Sequence, residues 1–153
     1  MDIRLDDLRG PEIAELLNIH LDFARAVSPP GSVHALNLEA LRAPHISFWT
    51  AWDGEQLLGC GALKELDSTH GEIKSMHTAK AARGRGVAAA LLTRIIGEAQ
   101  MRGYQRLSLE TGVTEDFAPA RKLYQRFGFD TCAPFADYFA DPFSVCMTRA
   151  LAD

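Results

Sequence analysis

Arg83-Gly84-Arg85-Gly86 stands directly before a run in which Val87, Leu91, Leu92, Ile95, Ile96 and Ala99 recur at helical spacing. A buried amphipathic helix is therefore expected to begin where two glycines and two arginines are crowded together, and to run to about Arg102. The first turn of a helix has free backbone N–H groups and the positive end of the helix dipole. Glycines let an anion approach that backbone without a Cβ in the way, and Arg83 and Arg85 add full charges. The junction is a phosphate site in outline.

The flanking chain supplies a sheet for that helix to cover. Ile3 to Leu5 reads as a first edge strand. Pro11 sits where a helix starts, Ile13, Leu16, Leu17, Ile19 and Leu21 make its stripe, and Ser28-Pro29-Pro30-Gly31 stops it. A shorter helix is expected from His34 to Leu41, before Ala43-Pro44. Ile46 to Trp52 and Gln56 to Leu63 flank Asp53-Gly54, the pattern of a β-hairpin, with Gly59 and Gly61 marking a bulge or a close backbone approach. Glu72 to Thr78 is a further strand leading into the arginine-glycine loop. After Arg102-Gly103 come a half-buried strand through Leu107 and Leu109, a helix from Ala118 to Phe127 ended by Gly128, and strands at 129–133 and 143–148. The order is that of an α/β protein with a mixed sheet and helices on its faces.

Composition narrows the partners. A chain of 153 residues is expected to be one domain, 1–153, and 16 basic against 20 acidic residues give no broad positive footprint for nucleic acid or an anionic membrane. With no basic-then-apolar leader and no long apolar span, a cytoplasmic address is expected. Cys60, Cys132 and Cys146 fall on apolar strands with no CxxC spacing, so they read as inert core thiols, and no metal cluster is visible.

Arg83-x-x-Gly86-x-Ala88, a short turn after a strand and opening a helix, matches a Q/R-x-x-G-x-G/A loop. Downstream, Ala120-Arg121-Lys122-Leu123-Tyr124-Gln125-Arg126-Phe127-Gly128-Phe129 matches an A-x-x-L-Y-x-x-x-G-F segment. With both motifs in order, nearly the whole chain resembles the GNAT superfamily of acyl-CoA-dependent N-acetyltransferases. The resemblance implies about seven mostly antiparallel strands with a splayed central pair and about four helices. It also implies acetyl-CoA as co-substrate, its pyrophosphate held by backbone N–H groups of Gly84, Arg85, Gly86, Val87, Ala88 and Ala89 with the Arg83 and Arg85 side chains nearby. The pantetheine arm would lie in the splay against the backbone of Met76 and Thr78, with His77 between them. Transfer to an amine would be direct, without a covalent acyl-enzyme, and a homodimer is compatible with the family.

Within that resemblance Tyr124 takes the place of the general acid. A phenol near pKa ~10 and a thiol near ~8.5 are close enough for proton transfer to the leaving thiolate. Glu72 takes the place of the strand carboxylate that deprotonates the amine, though the same position also suits a solvated strand-end charge. His77 is a second possible base and Glu110, at the end of the next strand, a third that faces the same opening. Phe117 stands where many members carry an asparagine that contacts the pantetheine arm. Asp137, Tyr138 and Asp141 would overhang the acceptor pocket, where acids suit a cationic amine of a small molecule or peptide.

Two other functions fit parts of the pattern. Gly84-x-Gly86-x-x-Ala89 with Glu110 beyond the next strand also satisfies a dinucleotide fingerprint, and would make the chain an NAD(P)-dependent oxidoreductase. Against this, a five-residue loop separates Thr78 from Gly84. The same fold could also serve as a non-catalytic acetyl-CoA-binding module.

Overall fold

The structure, a computed structural model, describes residues 1–151. Its elements run β1 (Asp2–Leu5), α1 (Pro11–Val27), α2 (Leu38–Leu41), β2 (Ile46–Asp53), β3 (Gln56–Asp67), β4 (His70–Thr78), α3 (Val87–Met101), β5 (Arg106–Gly112), α4 (Ala118–Arg126), β6 (Asp130–Cys132) and β7 (Ser144–Ala150). The strands form one seven-stranded sheet in the order β1-β2-β3-β4-β5-β7-β6. Every neighbouring pair is antiparallel except β4 and β5, which are parallel. This is the expected mixed sheet. It also removes the dinucleotide reading, because this sheet is mostly antiparallel rather than a doubly wound parallel one.

The two faces carry separate cores. On one, Val87, Leu91, Leu92, Ile95, Ile96 and Ala99 of α3 are all buried, together with Leu107, Leu109, Met147 and Phe129. On the other, Ile13, Leu16 and Leu17 of α1 pack with Leu41, Phe48 and Cys60. Burying one such Leu or Ile side chain is worth about 1.5–3 kcal/mol, so the α3 stripe alone fixes which face of the helix meets the sheet.

Two expectations on the first helical stretch are corrected. Ile19 is 51 % exposed: it falls off the stripe that Ile13, Leu16, Leu17 and Leu21 define. The second helix covers only Leu38–Leu41, because Asn37 caps it, its side chain accepting from the Ala40 N–H at 2.9 Å. His34 therefore lies in the α1–α2 connection rather than in a helix.

Two departures from regular strand geometry position the site. First, β4 and β5 pair only at His70–Arg106, Gly71–Leu107 and Glu72–Ser108, although β4 continues to Thr78 and β5 to Gly112. Beyond Glu72 the strands part, leaving one backbone edge of β4 without a strand partner. Second, Cys60 pairs with His77 and Ala62 with Lys74, so Gly61 faces two residues, Ser75 and Met76: a β-bulge, with Ser75 at φ +55°. Both β3 glycines are required by close approach. A Cβ on Gly59 would lie 2.8 Å from the His77 carbonyl oxygen, and one on Gly61 2.4 Å from Met76 Sδ.

Candidate active site

A cavity of about 770 Å³ occupies the splay, with Glu72 and His77 of β4, Glu110 of β5, Gly86 before α3, Tyr124 of α4 and Tyr138 of the β6–β7 loop among its walls. At one end α3 begins. Gly84 and Gly86 both hold positive φ, +77° and +78°, and a Cβ on either would meet nothing within 4 Å. These glycines are thus needed for backbone conformation, and they leave open space over the helix end. No side chain caps α3 and no acidic residue lies in its first turn. Free N–H groups and an uncompensated dipole end therefore open onto the cavity, which also takes Arg83 into its wall. Arg85 points elsewhere, 3.2 Å from Asp53 in an exposed pair.

The bulge shifts the side-chain phase of β4. Ile73 and Met76 join the α3 core, while Glu72, Lys74 and, after the extra residue, His77 share the other face. His77 meets His20 of α1, Nδ1 to Nδ1 at 3.1 Å. Burial, with His77 adding to it, holds His20 down to about 4; burial, with Arg83 adding to it, does the same to His77. The pair is neutral at pH 7, one ring donating and the other accepting, so His77 is a packed and paired residue there rather than a free base. Ser75 Oγ, at the bulge itself, is buried on the cavity wall without a hydrogen-bond partner among the described residues.

Glu72 and Lys74 form a buried ion pair. The carboxylate is 3.1 Å from Lys74 Nζ, with the two side chains 3 % and 8 % exposed, and it also accepts from Tyr138 O–H. Lys74 Nζ lies 2.9 Å from the same phenol oxygen. Tyr138 is thereby anchored, and burial together with Glu72 raises its O–H far above an ordinary phenol. Glu110 is a different case. Burial raises its carboxyl from 4.5 to about 7, with Lys74 and Ser144 opposing and Glu72 and Asp141 reinforcing the rise. Two carboxyls in one cavity thus differ in role: one is locked in a pair, the other titrates near neutrality.

Tyr124 is buried, packed edge-on against Phe129 with ring centroids 6.0 Å apart. Burial alone raises its hydroxyl, so the phenol stays protonated at any ordinary pH. Phe117 packs edge-on against Phe23 at 5.4 Å and covers Gly112, where a Cβ would lie 2.2 Å from its ring. That aromatic contact is what occupies the position expected of a polar side chain.

At the other end of the cavity, Ser32 Oγ donates to Asp141 at 2.5 Å, tying the α1–α2 connection to the β6–β7 loop. His34 packs edge-on against Tyr138 at 5.0 Å beside that contact. Asp141 is held below the usual carboxylate range by the Ser32 hydroxyl and the Phe143 N–H. Asp137 makes no comparable contact with the cavity wall, which includes Tyr138 but not Asp137. Lys74, His20, Ser32 and His34 also belong to this site, outside the motifs of the sequence. Lys74 alone had a legible signal: it is two residues from Glu72 on a strand, hence on the same face.

Comparison with known proteins agrees with this geometry. The sequence profile of the acetyltransferase (GNAT) family matches residues 13–129. The uncharacterized N-acetyltransferase YsnE of Bacillus subtilis (strain 168) is 58 % identical over 151 residues, 99 % of this chain and 100 % of that protein. The uncharacterized N-acetyltransferase YedL of Escherichia coli (strain K12) is 46 % identical over 151 residues, 99 % of this chain and 95 % of that one. In fold, a GNAT family acetyltransferase from Elizabethkingia anophelis, solved with acetyl-CoA bound, superposes with a TM-score of 0.73 at 19 % identity, covering 98 % of this chain and 97 % of its own. The chain belongs to the GNAT family and is an acetyl-CoA-dependent N-acyltransferase.

Proposed function

We propose that this protein transfers the acetyl group of acetyl-CoA directly to the amine of a small, cationic acceptor, with Glu110 receiving the amine proton and Tyr124 donating one to the leaving sulfur. The observation that carries the reading is the continuity of one cavity from the uncapped, acid-free start of α3 to the buried carboxyl of Glu110. Acetyl-CoA supplies a thioester, an acyl group already activated towards amines. The chain's own residues have four tasks. The first-turn N–H groups of α3, with Gly84 and Gly86 clearing the approach, bind phosphate oxygens. The unpaired edge of β4 from Met76 to Thr78 offers backbone hydrogen bonds to an extended arm, in the manner of an added strand. Glu110 in its ionised form takes a proton from an ammonium, a match of carboxyl near 7 to the working pH that suits general base catalysis. Tyr124, kept protonated by burial, has a proton to give at the opposite step, and because burial also makes it a weaker acid than a free phenol, that transfer relies on the leaving thiolate's basicity and close placement rather than on a matched pKa.

Glu72 in this reading holds Lys74 and Tyr138 in place and does not itself move the proton. A carboxylate already committed to an ammonium at 3.1 Å and to a phenol would have to break both contacts to act as base. The acceptor class follows from the roof and the charge. Ser32–Asp141 and His34–Tyr138 bridge the α1–α2 connection and the β6–β7 loop beside the acceptor end, which suits a free small molecule better than a residue of a folded protein. Three carboxyls, Glu72, Glu110 and Asp141, stand against one ammonium, Lys74, and this favours an amine that brings positive charge.

The test is a calorimetric titration with acetyl-CoA beside NADH and NADPH, followed by an amine panel read by released thiol. The panel compares each amino acid with its decarboxylated amine. Acetyl-CoA binding with faster turnover of the decarboxylated amines is expected, and initial-rate lines that intersect when both substrates are varied. Parallel lines would point to a covalent acyl-enzyme, binding without turnover to a non-catalytic module, and better turnover of the amino acids to a site selective for carboxylates.

A further inference from the structure

We propose that Cys132 and Cys146 are a reversible disulfide site that closes the neck of the loop over the acceptor pocket. The two cysteines stand directly opposite each other in the antiparallel β6–β7 pair. Residues so placed have their side chains on the same face of the sheet. Their Cα atoms are separated by about 4.5 or 5.5 Å according to which kind of ladder pair they form, and a disulfide spans about 4.4–6.8 Å, so either arrangement lies within bridging reach. Both are free thiols, Cys146 buried and Cys132 half-buried.

The position of the pair in the chain gives the bridge its meaning. β6 ends at Cys132 and β7 begins at Ser144, so residues 133–143 leave and return beside this one pair. That segment carries Tyr138, bonded to Glu72, and Asp141, bonded to Ser32. Within that segment Phe135 packs against Tyr138 with ring centroids 5.0 Å apart. On its other side Cys146 stands opposite Glu110. A bridge here would fix both roots of the roof next to the proton-accepting carboxyl. Cys60 is no competitor: it lies fully buried on β3, donating to the Ser75 carbonyl at 3.3 Å, with burial pushing its thiol up to about 12.

The chemistry balances with a small disulfide as oxidant. The Cys132 thiolate, the more accessible, attacks the small disulfide, forming a mixed disulfide and releasing one small thiolate. The Cys146 thiolate then attacks the Cys132 sulfur, forming the protein disulfide and releasing the second. Two protein thiols are oxidised, one small disulfide is reduced to two thiols, and the two protein protons end on the released thiolates. Burial raises both protein thiols, so the exchange is slow at neutral pH and faster at pH 8 and above.

The full-length protein is incubated with oxidised glutathione at pH 8, quenched with an alkylating agent and digested without reduction. The expected product is one intramolecular bridge joining the Cys132 and Cys146 peptides, with Cys60 alkylated only after denaturation, and dithiothreitol reversing the change. The midpoint of thermal unfolding should rise by about 5–10 °C on oxidation, since a loop of this length is closed without moving its ends. Cys132→Ser, at the half-buried member, should abolish both the bridge and the rise while leaving the reduced midpoint where it was; Cys132→Ala serves as the second variant. A stable glutathione adduct on Cys132, a bridge that includes Cys60, or a bridge that forms without raising the midpoint would each overturn the proposal.

Discussion

Replacing Glu110 by Gln separates catalysis from stability in a way that only a titrating buried carboxyl can. Its carboxyl is raised from 4.5 to about 7, so between those values the folded protein binds a proton that the unfolded chain has released. Stability therefore falls as pH rises through this window, and above pH 7 the folded state carries the full cost of an ionised, mostly buried acid. The cost is on the order of 3 kcal/mol at pH 8 before any relaxation. Glu110→Gln removes it. The variant should be more stable than the wild type at pH 8 by about 1–3 kcal/mol, read as a rise of several degrees in melting midpoint, and should have no such advantage at pH 5.

Activity should move the other way. Wild-type kcat/KM should rise with pH through about 7, losing roughly tenfold for each pH step below it, as the proposed role of Glu110 as proton acceptor requires. In Glu110→Gln the limb should vanish and the rate at pH 8 should fall by about 10²–10⁴. The paired measurement is a denaturation series and a pH–rate profile on the same preparations. An unchanged acidic limb in the variant would refute Glu110 as the proton acceptor even if its stability behaved as described.

Other substitutions test the remaining walls of the cavity. Gly86→Val should abolish acetyl-CoA binding by calorimetry while costing the fold only about 1–2 kcal/mol for a side chain at φ +78°; retained affinity would take the start of α3 out of the phosphate site. Tyr124→Phe should lower kcat by about 10²-fold or more with acetyl-CoA affinity nearly unchanged, and an equal rate would leave Tyr124 as packing against Phe129. Glu72→Gln should raise the acceptor KM, by loosening Lys74 and Tyr138, yet keep the acidic limb near 7; a lost limb would make Glu72 the base after all. Gly59→Ala should destabilise more than Gly61→Ala, since the new methyl meets the His77 backbone carbonyl in the first and the mobile end of Met76 in the second; the comparison needs only two melting curves.

The start of α3, where we place the phosphate, was legible because it depends on local rules. Helical periodicity from Val87 to Ala99 and glycines at 84 and 86 specify a buried helix with an open N-terminus whatever the tertiary context. The acceptor end was not, because it is assembled from contacts far apart in sequence. Ser32 meets Asp141 and His20 meets His77 through packing of α1 and two loops on the sheet, and no local pattern encodes such pairs. Ile19 failed for a related reason: apolar residues that exceed a helix's buried stripe look like part of it until the partner surface is known. Glu72 and Glu110 were visible as strand-end carboxyls, but their difference lay in Lys74, Tyr138 and the depth of burial, which only the assembled sheet determines.

The bulge in β4 connects the two ends. A regular strand would alternate Glu72, Lys74 and Met76 onto one face, and would send His77 into the α3 core. The extra residue at Ser75 reverses that, so the apolar Met76 fills the space left by Gly61 and the neutral His77 turns to His20. Past the bulge β4 can therefore keep a dry, well-packed inner face while its free edge lines the splay. Without it, the polar row begun by Glu72 and Lys74 would end in Met76, and α1 would lose the histidine contact that seats it beside the cavity. The glycines of β3 and the strained Ser75 are thus one device, and the start of α3 and Glu110, to which we assign anion binding and proton handling, line one cavity beside it.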